Sequence, residues 1–140
     1  MKYFSMTKCL NIGAVLCAAI FLSACAAPVS KESRVEQRVN ERWEKLLTGD
    51  LAGAYEYLSP GYRSSVSSLQ YQRSVLLKQI KWTSAKYVES NCEDVNCTAT
   101  VEVGFTIHGG VPGIKSFSST RPVEETWLLV DGIWYFVPKQ

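Results

Sequence analysis

The spacing of apolar residues divides the chain into three stretches. Leu10 to Leu22 is a nearly unbroken apolar run. Further on, Val35, Val39, Trp43, Leu46 and Leu47 recur every three or four positions, with Arg and Glu filling the other face. That period predicts an amphipathic helix. Ser33-Arg34-Val35-Glu36 fits a capping box at its start, and Gly49 suits its stop. Asp50 can cap a second, short helix over LAGAYEYL, which Ser59-Pro60-Gly61 ends. Ser67-Ser68-Leu69-Gln70 can cap a third, with Leu69, Val75, Leu76 and Ile80 as its apolar positions.

From Lys81 the period changes to alternation. KWTSAKYVES reads as a strand. TATVEVGFTIH alternates cleanly: Val101, Val103, Phe105 and Ile107 point one way, Thr100, Glu102, Thr106 and His108 the other. GGVPGIKSFSSTRP reads as a long polar connection. VEETWLLV and IWYFV flank Asp131-Gly132, a two-residue hairpin signal. In that register Leu129 sits opposite Trp134 and Trp127 opposite Phe136, on one apolar face. Helices followed by a curved antiparallel sheet of about four strands make an α+β domain.

The first apolar run changes the picture of where this domain resides. Lys2 and Lys8 precede it and small residues follow, the layout of a secretory signal. Leu22-Ser23-Ala24-Cys25 then resembles the lipobox of bacterial lipoprotein precursors, in which the cysteine is acylated and the leader is cut before it. The resemblance divides the chain into a signal peptide at 1–24, a lipidated N-terminus and linker at 25–32, and a folded domain at 33–140. Ala26, where an Asp would favour inner-membrane retention, implies anchoring by Cys25 in the outer membrane, facing the periplasm. Two other readings stand beside it: Ala24-Cys25-Ala26 also passes as an ordinary A-x-A cleavage site, and an uncut leader would remain as an anchor.

Charge and cysteine usage agree with an envelope domain. Of 15 Lys and Arg, two lie in the leader, so 13 face 13 Asp and Glu in the remainder. A neutral domain without a basic cluster is a poor nucleic-acid binder. Cys9 and Cys17 leave with the leader, and only Cys92 and Cys97 remain beside Cys25. Their spacing between two strands suits a disulfide across the base of a hairpin loop, which an oxidising periplasm permits. His108 is the only histidine, so neither a metal site nor a Ser-His-acid or Cys-His arrangement is supported, and no cofactor is implied.

RVNERWEKLLTGDLAGAYEYLSPGYR, a Trp-bearing first strand and the closing W-x-x-x-D-G-x-W-Y together resemble the nuclear transport factor 2-like superfamily. The resemblance implies the cone-shaped fold shared with ketosteroid isomerase and many small bacterial lipoproteins. Its catalytic members carry an Asp or His base inside the cone with a Tyr or acid as donor. His108 and Glu102 fall on the polar face of their strand, Asp131 belongs to the turn and Asp50 to the cap. Glu124 and Glu125 open a strand, with one pointing inward only if the register demands it. No catalytic residue is singled out. Trp43, Tyr55, Tyr57, Tyr62, Trp82, Trp127, Trp134 and Phe136 could line an apolar pocket, or could equally pack a core. The expected protein is a lipid-anchored, non-enzymatic module for a small apolar ligand or an envelope protein. An isomerase- or dehydratase-like enzyme and a homodimeric assembly component are the alternatives.

Overall fold

Ser30 caps helix α1, Lys31–Thr48, its hydroxyl accepting from the Ser33 amide at 3.1 Å. The computed structural model describes residues 29–111 and 113–139. The leader and Cys25 lie outside the described residues. The capping box expected at Ser33 is therefore replaced by a cap three residues earlier, which leaves Ser33 as a donor in the first turn. Val35, Val39, Trp43 and Leu46 are buried as their spacing predicts, whereas Leu47 is exposed. Gly49 closes the helix at φ 80°, with its amide on Leu46 O and the Asp50 amide on Lys45 O. This pair of bonds is a Schellman closure, and it needs the left-handed backbone that glycine adopts without penalty.

Asp50 then caps α2, Leu51–Tyr55, through the Gly53 amide at 2.8 Å. Ser59-Pro60-Gly61 ends that helix and also starts another. Ser59 caps α3, Pro60–Ser65, a helix the sequence reading lacks. Proline at the first helical position loses no bond, since that amide has no helical partner. Ser67 and Gln70 form the expected capping box of α4, Ser68–Leu76. Its buried side chains are Tyr71 and Val75 rather than Leu69 and Leu76, which face outward, and Ile80 has passed into the first strand.

Four strands follow: β1 Ile80–Glu93, β2 Asn96–Val111, β3 Ile114–Val130 and β4 Ile133–Val137. They form one antiparallel sheet in sequence order. Two register shifts in β1, at Trp82/Ser84 and Tyr87/Glu89, mark bulges of the kind that bend a sheet. The long polar connection expected between β2 and β3 is instead strand. Pairing runs from Asn96↔Leu128 to His108↔Ser116 and resumes at Val111↔Ile114. Its polar sequence reflects exposure on both faces: Lys115, Ser116, Ser118, Thr120 and Arg121 are all exposed. Pro122 is accommodated because β4 pairs with β3 only up to Thr126↔Val137, leaving Pro122 on a free edge.

The hairpin at Asp131-Gly132 has the predicted register, with Trp127↔Phe136 and Leu129↔Trp134. Both turn residues have positive φ, at 50° and 80°, as a type I′ turn requires. Cys92 and Cys97 are direct partners at the β1–β2 turn and are joined by a disulfide. The core lies between α1 and the sheet, around Val35, Val39, Leu58, Val101, Trp127 and Trp134. Segment 57–59 covers the outer edge of β4 through Phe136 N to Tyr57 O and Ser59 N to Phe136 O, each 2.8 Å.

Candidate functional site

On β3 side chains alternate between the two faces, so Glu125 must share the inward face with Trp127 and Leu129. It does: Glu125 is only 2% exposed. One oxygen, Oε1, accepts from Arg42 Nη1 at 2.8 Å and from Trp43 Nε1 at 2.9 Å. The other, Oε2, accepts from Trp127 Nε1 at 3.1 Å. Isolated burial of a carboxylate is prohibitive, and an ion pair with further donors is the arrangement that makes it tolerable.

Arg42 comes from the core-facing stripe of α1 and is 6% exposed. Its guanidinium lies over the Phe136 ring, 3.9 Å from the centroid, a cation–π contact strengthened by desolvation. The Arg42 Nε–H has no acceptor among the described residues. Tyr71 of α4 packs its ring against Tyr55, 5.8 Å between centroids, and its phenol feels Arg42. Burial outweighs that cation and pushes the Tyr71 phenol up, so it stays a protonated donor at neutral pH.

These groups form the floor of a cleft of about 310 Å³. Trp82, Val123 and Phe136 wall it, and Lys78, Glu124 and Lys139 stand around it. The volume is at the lower end of the range for small-molecule sites. Of the aromatic residues named from sequence, Tyr62, Trp82 and Phe136 line this cleft. Trp43, Tyr55, Trp127 and Trp134 lie in the core behind it, with Trp43 and Trp127 reaching the site through their indole bonds to Glu125. Tyr57 is elsewhere, its hydroxyl donating to Glu41 at 3.2 Å and its ring 4.1 Å under Arg38.

Glu124, exposed on β3, lines the cleft, and the other ionisable candidates stay outside it. His108 and Glu102 are exposed on β2, Asp131 is in its turn, and Asp50 caps α2. Among the described residues no group of three His, Cys, Asp or Glu could hold a metal ion. No helix among them is long and apolar enough to cross a membrane. Sequence reasoning missed Arg42 and Tyr71 and left the inward turn of Glu125 to the register. Parity with Trp127 was the available signal for Glu125, adjacency to Trp43 for Arg42, and the four-residue step to Val75 for Tyr71.

No family model and no curated protein matches the chain. Solved structures do resemble it. A SEC-C motif containing protein from Rhodopseudomonas palustris superposes with a TM-score of 0.56 at 14% identity, covering 74% of each chain. A protein assigned as a polyketide cyclase from Xanthomonas campestris gives 0.52 at 13% identity, over 79% of this chain and 93% of its own. A protein assigned as a dehydratase of the nuclear transport factor 2-like family, from Streptomyces avermitilis, gives 0.52 at 10% identity, over 76% and 95%. Helices followed by a curved four-stranded antiparallel sheet, shared with these proteins, give this chain the nuclear transport factor 2-like α+β fold.

Proposed function

We propose that the protein is a periplasmic lipoprotein, anchored in the outer membrane through Cys25, whose cleft binds a small ligand without transforming it. The observation that carries this reading is the floor of the cleft. Three donors hold Glu125, two on Oε1 and one on Oε2, and bind it to α1 and to its own strand, so its part in the floor is to fix Arg42 and the two indoles rather than to face a substrate freely. Tyr71 is a donor rather than a base, and no histidine lines the cleft. Beside the exposed Glu124 carboxylate, the cleft offers apolar wall and donors, from Trp82 and Phe136 to Tyr71, Arg42, Lys78 and Lys139. A small ring-bearing molecule with a carboxylate or another acceptor group fits that chemistry.

The probe 1-anilinonaphthalene-8-sulfonate, an aromatic anion, tests it. Saturable one-to-one binding is expected, weakened about tenfold by Lys78→Glu, since a charge reversal beside a partly desolvated anion is worth on the order of 1.4 kcal/mol. Absence of saturable binding, or equal affinity in Lys78→Glu, overturns the reading.

The second reading is an isomerase- or dehydratase-like enzyme. It is favoured by one observation, an ionisable carboxylate at the floor of the cleft, in a fold shared with proteins assigned as a dehydratase and a polyketide cyclase. Glu125→Gln separates the two. A binding module keeps affinity for the probe, whereas an enzyme of this kind loses turnover of a ketosteroid or hydroxyacyl test substrate while still binding it.

A further inference from the structure

The end of the domain at which the chain enters carries three exposed aliphatic side chains. Val29 is 62% exposed, Val95 47% and Ile133 46%. Contacts bring their segments together. Lys31 Nζ, two residues after Val29, donates to the Asp94 carbonyl at 3.0 Å. The Leu129 amide donates to the Val95 carbonyl at 2.7 Å, and Leu129 pairs with Trp134, the neighbour of Ile133. Arg38 Nε, on α1, donates to the Trp134 carbonyl at 2.9 Å and ties the same corner to the helix.

We infer that this end, with Val29, Val95 and Ile133 at its tip, rests on the lipid bilayer and that the ligand cleft stands clear of it. The inference depends on lipidation of Cys25. Residues 26–30 are all that separate Cys25 from α1, and five residues reach about 17 Å when fully extended. The domain is thus held with its entry end close to the bilayer surface. Exposed aliphatics there add apolar contact to that of the acyl chains. Arg42 lies further along α1, about 17 Å from Lys31 at the helical rise. β4 likewise runs from Ile133 toward Val137 and Lys139, away from the anchored end. The mouth between Lys78 and Lys139 therefore opens to water, and the ligand comes from the aqueous compartment.

Leu76 and Leu77, at the other end of the molecule where α4 meets β1, are the competing contact. A domain lying flat would touch the membrane there as well.

The test uses the intact lipoprotein in vesicles of phosphatidylethanolamine and phosphatidylglycerol, with a nitroxide on a cysteine introduced at Val95, Ile133 or Leu77. Labels at 95 and 133 are expected about 5 Å or more into the interface, protected from a water-soluble nickel reagent. The label at 77 is expected to stay as accessible as in solution. A bilayer signal from position 77, or none from 95 and 133 in protein whose intact mass includes the acyl groups, overturns the orientation alone. A mass without acyl groups overturns the lipid reading and the orientation with it.

Discussion

Arg42 donates to Glu125 at 2.8 Å with both side chains almost wholly removed from water, 7% and 2% exposed. The pair joins α1 to β3 beneath the cleft, and Phe136 covers the guanidinium from the β4 side. Its two members do not have equal support. Glu125 keeps two indole donors if Arg42 is lost, whereas removal of Glu125 leaves a buried cation and both indole N–H groups without an acceptor.

That asymmetry gives the first prediction. Glu125→Leu should destabilise by about 3–5 kcal/mol, the cost of breaking a buried pair from one side. Arg42→Met should cost less. Replacing both together should restore part of the loss, because the interior then holds neither orphaned charge. Urea unfolding of the two single variants and the double variant measures the coupling; equal single costs that simply add would show that the pair is not a unit.

Trp127 is fully buried and Trp127→Ala should cost about 3–5 kcal/mol through the cavity it leaves. His108 is exposed, and His108→Ala should leave stability within about 0.5 kcal/mol. Probe binding should be unchanged in the histidine variant. Parallel denaturation curves check both.

Cys92→Ser should lower stability by about 2 kcal/mol, since the closed loop is short and little chain entropy is removed by the bond. The oxidised wild type should also resist thiol alkylation at both positions. Two native thiols labelled stoichiometrically would refute the bond.

Tyr71 predicts an alkaline limit. Its folded pKa is raised, chiefly by burial, above an unfolded value near 10. The unfolded chain therefore loses that proton first, so the stabilisation is complete below about pH 10 and is lost as pH rises through the folded pKa. Tyr57, raised by burial and by Glu41, acts in the same direction. Stability measured between pH 8 and 11 should fall in the wild type and fall less in Tyr71→Phe. An identical decline in the two proteins would remove Tyr71 as the cause.

Much of this architecture was written locally. The helical stripe from Val35 to Leu46, the Gly49 stop, the Asp50 and Ser67 caps and the Asp131-Gly132 hairpin each depend on residues within a few positions of one another, and each appears in the structure. The Cys92–Cys97 bond belongs to the same group, because the two residues face each other across one tight turn. Errors began where a local cue had two outcomes. Ser59-Pro60-Gly61 stops one helix and starts the next, and the polar run around residue 115 is strand although its mostly exposed side chains show no apolar alternation.

The cleft was beyond local reading for a different reason. Alternation could place Glu125 beside Trp127 on one face, but whether that face meets helix or solvent depends on α1 docking across the sheet. Only that docking brings Arg42, Trp43 and Glu125, more than eighty residues apart in the chain, into hydrogen-bond distance. The same packing divides the aromatic residues by role. Trp127 and Trp134 fill the space beneath α1, while Trp82 and Phe136 border the gap left between α4 and β3. Sequence determined which side chains are apolar and how often they recur; tertiary packing decided which of them found partners and which were left to wall a cavity, because packing complementarity is set by surfaces brought together from distant parts of the chain.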